Sequence, residues 1–343
     1  MSTNRSMYYV YPLSKRDSFS VIGFRHMVEL SKYFPIRAVD LMQFPTAKLY
    51  RNSLVLLHPY FYPLQAYGEE ALRGLEVIGI DVADSDRISE YAVRLSRHAS
   101  VFIVPSEWSR RAYVSSGVEC DVHVVPHGVD RLYILAVHPV TRVFREVYGL
   151  KSSGVKIVSA WIIHSGYRKG YDILMELYSR LSRELEVALL LRDHSGVKLF
   201  YRGNQQLIYG GWLTEEQKME FHDLSDLFLL TSRGGGFEHP ALESIARGTP
   251  CIGAEGGSWS EYMPSWMLVP SIPSGVVLEG NPIHVGRGVE MVIDKAVDRC
   301  LEILGDVEEY KAKTRSYALS VVAEKYVWSR IGVKLRDVVG RYV

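Results

Sequence analysis

The stretch from Asp226 to Glu261 constrains this chain more than any other. It opens on an apolar run, Leu227-Phe228-Leu229-Leu230, with the length and composition of a buried strand. Thr231-Ser232-Arg233 and three glycines, Gly234-Gly235-Gly236, come next, followed by Phe237-Glu238-His239-Pro240. Proline suits the first turn of a helix, and Leu242, Ile245 and Ala246 fall on one face of it. Gly248 stands where that helix would stop, and Cys251-Ile252-Gly253 begins a second apolar run. Strand, glycine loop, helix and strand make a βαβ unit, so the expected fold class is α/β.

The loop has a chemistry of its own. Glycines offer main chain with no side chains in the way. A helix N-terminus offers unpaired N–H groups and a partial positive charge, which suit a phosphate or diphosphate. Glu238 and Glu243 add hydroxyl acceptors beside the same loop. Phosphate donors next to hydroxyl acceptors are what a nucleotide sugar requires. A solvated turn before an ordinary surface helix fits the same residues, and the pattern alone leaves both open.

The remaining strands alternate with helices. Met7–Pro12, Ser53–Leu57, Leu75–Ile80, Ala99–Val104 and Asp121–Val125 read as strands in the first half. Met27, Leu30 and Phe34 mark a helix face ending at Pro35, with Ser18–Gly23 as the loop before it. His58 follows a strand, where an open α/β sheet places its ligand crevice. Asp84-Ser85-Asp86 reads as an N-cap for a helix from Arg87 to Ser96, and also has the Asp-x-Asp spacing that can hold a divalent metal. Residues 131–154 look like a linker with one short helix near Val140 to Tyr148. The expected domains are therefore 1–150 and 151–322, with a last helix at 323–343. Val155–Trp161, Val187–Leu191 and Leu207–Leu213 are the next strands, and Thr214-Glu215-Glu216 starts a helix. Arg168 and Lys169 read as the start of a helix, where cations oppose the dipole unless an anion binds nearby.

Composition narrows the partners. A formal net charge of +1 over 343 residues gives no global field for nucleic acid. No apolar run approaches the ~20 residues that span a bilayer, and the first six residues lack the apolar core of a signal peptide. Cys120, Cys251 and Cys300 are odd in number and far apart, as free thiols in a reducing, cytoplasmic compartment would be. A surface patch need not show in net charge, so peripheral attachment at the inner face of a membrane is compatible with this.

Two segments carry a resemblance to a known family. Pro240-Ala241-Leu242-Glu243-Ser244-Ile245-Ala246-Arg247-Gly248-Thr249-Pro250 resembles the second half of the signature of retaining GT-B type glycosyltransferases, in the large family 4 (glycosyl transferases group 1). Val104-Pro105-Ser106-Glu107-Trp108-Ser109 and Val124-Val125-Pro126-His127-Gly128-Val129-Asp130 are similar to that family's text as well. The resemblance implies two Rossmann-like domains, with a last helix that returns to the first. It implies transfer of a glycosyl group from a UDP- or GDP-sugar to an acceptor hydroxyl, with retention and with no metal or other cofactor. The acceptor class stays open among glycan, lipid and small molecule.

The family's residues carry over one by one. Lys169-Gly170 matches its phosphate clamp, with His164 the nearest polar substitute for a missing upstream arginine and Arg168 a further cation for the diphosphate. Glu243 matches the ribose-binding glutamate. Gly235, Gly236 and Phe237 fall in the donor loop, and Gly211 and Trp212 in the segment that lines the base. The family's first glutamate falls at Gly235, and Glu238 is the substitute in reach to hold the donor sugar. Asp81 stands where the family has a histidine near the reacting centre. These departures leave two alternatives: a nucleotide-sugar-binding protein with impaired catalysis, and a metal-dependent transferase acting through Asp84 and Asp86.

Overall fold

Each apolar run becomes a strand in one of two sheets. The structure is a computed structural model and describes residues 6–13, 17–47, 49, 53–135 and 141–343. The chain forms two compact units. The first is Met1–Gly128, Glu279–Gly286 and Tyr326–Val343; the second is Val129–Leu278 and Arg287–Lys325.

The first unit begins with β1 (Met7–Tyr11), α1 (Ser18–Leu30), β2 (Ile36–Asp40), β3 (Leu54–Leu57) and α2 (Phe61–Tyr67). It continues with β4 (Glu76–Ile80), α3 (Glu90–Ser96), β5 (Val101–Val104), α4 (Glu107–Ser116) and β6 (Asp121–Val124). The strands are all parallel, in the order β2-β1-β3-β4-β5-β6. The last helix of the chain, Trp328–Val339, also lies in this unit; Trp328, Ile331 and Leu335 share a core with Tyr9, Leu30, Leu56 and Ile78.

Two expectations are corrected here. Ser18–Gly23 is helix, because Asp17 and Ser20 form a capping box: Ser20 N donates to the Asp17 carboxylate at 2.8 Å and Asp17 N to the Ser20 hydroxyl at 3.1 Å. Gly23 then lies within α1 for a packing reason, since a Cβ there would fall 2.5 Å from the Tyr11 ring. Second, Asp84–Asp86 does not cap the next helix. Ser89 caps α3, accepting from Ala92 N at 3.1 Å. The triplet instead receives the 279–286 segment: Ser85 Oγ accepts from Gly286 N at 3.1 Å and donates to Arg87 O at 2.7 Å.

The second unit opens with α5 (Arg131–Leu135) and α6 (Arg145–Ser152); the expected helix start at Val140 lies outside the described residues. There follow β7 (Lys156–Trp161), α7 (Gly166–Lys169), α8 (Tyr171–Glu184), β8 (Val187–Asp193), β9 (Gly196–Tyr201) and β10 (Asn204–Gly210). Then come α9 (Glu215–Leu224), β11 (Leu227–Leu230), α10 (His239–Arg247), β12 (Cys251–Ala254) and β13 (Leu268–Val269). A hairpin of β14 (Ser271–Val276) and β15 (Arg287–Met291) precedes α11 (Ile293–Gly305), α12 (Val307–Tyr317) and α13 (Ala323–Lys325); the last helix is α14.

The sheet of this unit runs β10-β9-β8-β7-β11-β12-β13. β9 and β10 are antiparallel additions, and the expected strand at 207–213 is the end of β10, with Gly211 and Trp212 beyond it. The strand order reverses between β7 and β11. At such a point the two loops leave in opposite directions and a crevice opens at the strand ends. The loops leaving β7 and β11 carry Lys169 and the three glycines.

The α14 core has a measurable weight. Leu335→Ala, at a fully buried position, is expected to cost about 2–5 kcal/mol. Urea denaturation compared with the wild-type protein checks this; a loss below ~1 kcal/mol would contradict the packing described.

Candidate functional site

The glycine loop is held by its carbonyls. Gly234 O accepts from the Arg168 guanidinium at 3.1 Å, Gly235 O from Ser258 Oγ at 2.6 Å, and Glu238 O from the Tyr262 hydroxyl at 2.6 Å. All three donors belong to buried residues. In a planar trans peptide the N–H points opposite to the C=O. The amides of Gly235, Gly236 and His239 therefore each point away from the donor that holds the preceding carbonyl. His239 is also the first residue of α10, whose N-terminus adds its partial positive charge.

Lys169 is fixed from behind. Its carbonyl accepts from Thr231 Oγ1 at 2.9 Å, and Arg233 N donates to Arg168 O at 2.7 Å. Gly170 follows at φ +68°, and a Cβ there would fall 2.0 Å from Thr231 O, so only glycine lets this turn lie against the loop. Arg168 and Lys169 do not begin a helix, contrary to the sequence reading. They end the four-residue α7, where cations suit the dipole, and α8 starts afresh after Gly170. The buried Arg168 is thus a loop holder.

Arg233 clamps the same turn from the other side. It donates to both oxygens of Asp172, at 2.6 and 2.7 Å, and to Glu290 at 2.5 Å, and lies over the Tyr167 ring.

Glu238 and Lys169 meet directly. The ammonium donates to both carboxylate oxygens, at 2.7 and 2.6 Å, with side-chain exposures of 16% for Lys169 and 5% for Glu238. The Glu238 carboxylate lies over Gly235: a Cβ at position 235 would fall 2.3 Å from Oε1. Phe237 packs on Tyr262, ring centroids 5.1 Å apart.

Glu243, one turn along α10, sits in a second cluster. His239 Nδ1 is 3.2 Å from it, Lys218 Nζ 3.4 Å and His222 Nε2 3.9 Å. Burial alone would push its carboxyl up. Lys218 and His239 outweigh that and hold it well below the usual carboxylate range. Burial likewise pulls Lys218 down, yet Glu243 and Glu215 raise it on balance. Sequence reasoning found Glu243 without these neighbours. The spacing from His239 to Glu243 was legible as one helix face; nothing linked Lys218 or His222 to them.

Other expected residues lie elsewhere. His164 is exposed, its Nδ1 2.9 Å from Ser165 Oγ. Gly211 and the partly buried Trp212 sit in the connection from β10 to α9. Asp81 belongs to the first unit, at the end of β4. There it accepts from Phe61 N at 3.0 Å and Val82 N at 2.8 Å, and burial pushes its carboxyl up to about 7. His58 is buried in the same unit beside Tyr9 and His26. Among the described residues, no group of three His, Cys, Asp or Glu is arranged to hold a metal, around Asp84 and Asp86 included. No helix among them is long and apolar enough to cross a membrane.

No protein-family model matches this chain. Protein 356 of Sulfolobus islandicus rod-shaped virus 1, an uncharacterized protein, is 28% identical over 363 residues, covering 98% of this chain and 99% of its own. Protein 45 of Sulfolobus islandicus filamentous virus, whose name assigns it provisionally to the glycosyltransferases, is 29% identical over 194 residues, or 54% of this chain and 50% of its own. Among solved structures, Anabaena HepE in complex with UDP and glucose superposes with a TM-score of 0.66 at 14% identity, over 98% of this chain and 100% of that one. The shared fold is the two-unit α/β architecture of GT-B glycosyltransferase structures.

The Glu243 cluster makes stability depend on pH. A carboxyl whose folded value is depressed stabilises fully above the unfolded value of about 4.3 and loses that contribution as pH falls below it. Wild-type stability is expected to drop steeply below pH ~4. Glu243→Gln, weaker at neutral pH, should lose less over the same interval in thermal melts taken between pH 7 and 3. Equal acid slopes would contradict the assignment.

Proposed function

We propose that this chain is a glycosyltransferase. It moves a sugar from a UDP- or GDP-sugar to an acceptor hydroxyl, with retention of anomeric configuration and with no metal or other cofactor. The acceptor is a glycan, a lipid or a small molecule. The compartment is cytoplasmic and includes the inner face of a membrane. One observation carries this reading above the others. The Glu238 carboxylate occupies the space that a side chain at position 235 would enter. We read Glu238 as supplying, from three residues along the loop, the acid that the resembled family carries at position 235.

The chemistry follows from charge. As the diphosphate leaves, negative charge grows on it and positive charge grows on the sugar ring. Groups that are fixed beforehand stabilise such charges without reorganising. Lys169, the amides of Gly235, Gly236 and His239, and the α10 N-terminus face the diphosphate. Glu243, kept ionised by its cationic neighbours, accepts from the ribose hydroxyls, and Glu238 accepts from the donor sugar. Gly211 and Trp212 line the base, and His164 reaches the phosphates. Asp81, standing where the resembled family has its histidine, is the candidate carried over for that histidine's role. The likeness to HepE, whose structure holds UDP and glucose, supports a nucleotide-sugar site of this kind. The Asp84–Asp86 metal reading loses ground, because the 279–286 segment already engages that triplet.

A panel of UDP- and GDP-sugars tests the proposal, with release of nucleoside diphosphate as the readout. One donor should be turned over by the wild-type protein, without loss of rate in EDTA. Lys169→Met should lower its turnover roughly 10²–10³-fold. No turnover of any donor, or full activity of that variant, would sink the reading.

A further inference from the structure

The contact between Lys169 and Glu238 has a consequence for what the site prefers to bind. The lysine directs two of its three donors at one carboxylate, at 2.6 and 2.7 Å, and the Glu238 side chain is 5% exposed. Glu238 belongs to the same glycine loop, so a diphosphate arriving there meets a like charge and competes with it for the same ammonium. A phosphate that takes Lys169 leaves Glu238 buried without its partner. That state is expensive, because a desolvated carboxylate has no water to turn to.

We infer that Glu238 is a specificity residue that makes the site favour an intact nucleotide sugar over the free nucleoside diphosphate. This rests on the glycosyltransferase reading above. An intact donor brings sugar hydroxyls, which donate to Glu238 as the diphosphate takes Lys169, so each charge exchanges one partner for another. The free diphosphate takes the lysine and offers Glu238 nothing. The pair therefore re-forms when the sugar has gone, and its re-formation expels the diphosphate product.

Removing Glu238 should tighten diphosphate binding, where removing an ordinary binding residue would weaken it. In calorimetric titrations with UDP and GDP, Glu238→Gln and Glu238→Ala should bind the nucleoside diphosphate roughly ten- to a hundredfold more tightly than the wild-type protein. Affinity for the corresponding nucleotide sugar should rise less or fall, so the preference for the donor collapses. Melting temperatures establish that each variant is folded, and two variants guard against a folding defect in one. The wild-type protein supplies its own arm: equal affinities for donor and diphosphate would overturn the inference. So would variants that bind the diphosphate no more tightly than wild type. Lys169→Met separates the two levels. If it weakens diphosphate binding while the Glu238 variants fail to tighten it, the inference falls and the site stands. If it leaves diphosphate binding unchanged, the site falls as well.

Discussion

Three carbonyl groups decide what this site can do. Gly234, Gly235 and Glu238 each accept a hydrogen bond from a buried donor, and the planarity of the peptide then fixes where the next amides point. Each such bond is worth only ~1 kcal/mol net. Their importance is geometric. Without Arg168, Ser258 and Tyr262, three successive glycines would have no reason to hold one conformation, and glycine loses the most entropy of any residue when it is held. The donors come from α7 and from the segment after β12, so the loop is shaped by stretches that precede and follow it in the chain.

The reversal of strand order between β7 and β11 explains why these groups are neighbours at all. One loop supplies Lys169 and the other supplies Glu238, 69 residues apart in sequence and in contact in space. Gly170 makes the approach close enough, and Arg233 ties the second loop to α8 through Asp172. The ion pair at the centre is held in place more than it holds. A buried pair gains little over its desolvation cost, so its presence speaks for function before stability.

The sequence shows the frame more clearly than the site. Strands appear as apolar runs, and capping residues such as Thr214 and Gly248 mark helix ends correctly. The glycine loop and Glu243 are legible for the same reason, since local chemistry and local structure coincide there. What was missed is non-local. Nothing near Ser258 or Tyr262 says that their hydroxyls hold a loop some twenty residues earlier. Lys218 lies on another helix from Glu243, and its role depends on α9 packing against α10. Arg168 misleads for a subtler reason: the short α7 ends before α8 begins, so a cation read at a helix start is one at a helix end. β9 and the start of β10 escape because they alternate weakly and their turn, Arg202-Gly203, is not one of the usual hairpin pairs.

A crystal structure of the protein with UDP or GDP bound would show whether this loop holds the diphosphate. Diphosphate oxygens should lie within about 3 Å of the amides of Gly235, Gly236 or His239 and of Lys169 Nζ, with the loop carbonyls still bonded to Arg168, Ser258 and Tyr262. A diphosphate bound elsewhere on the chain, with the pair of Lys169 and Glu238 intact, would contradict it.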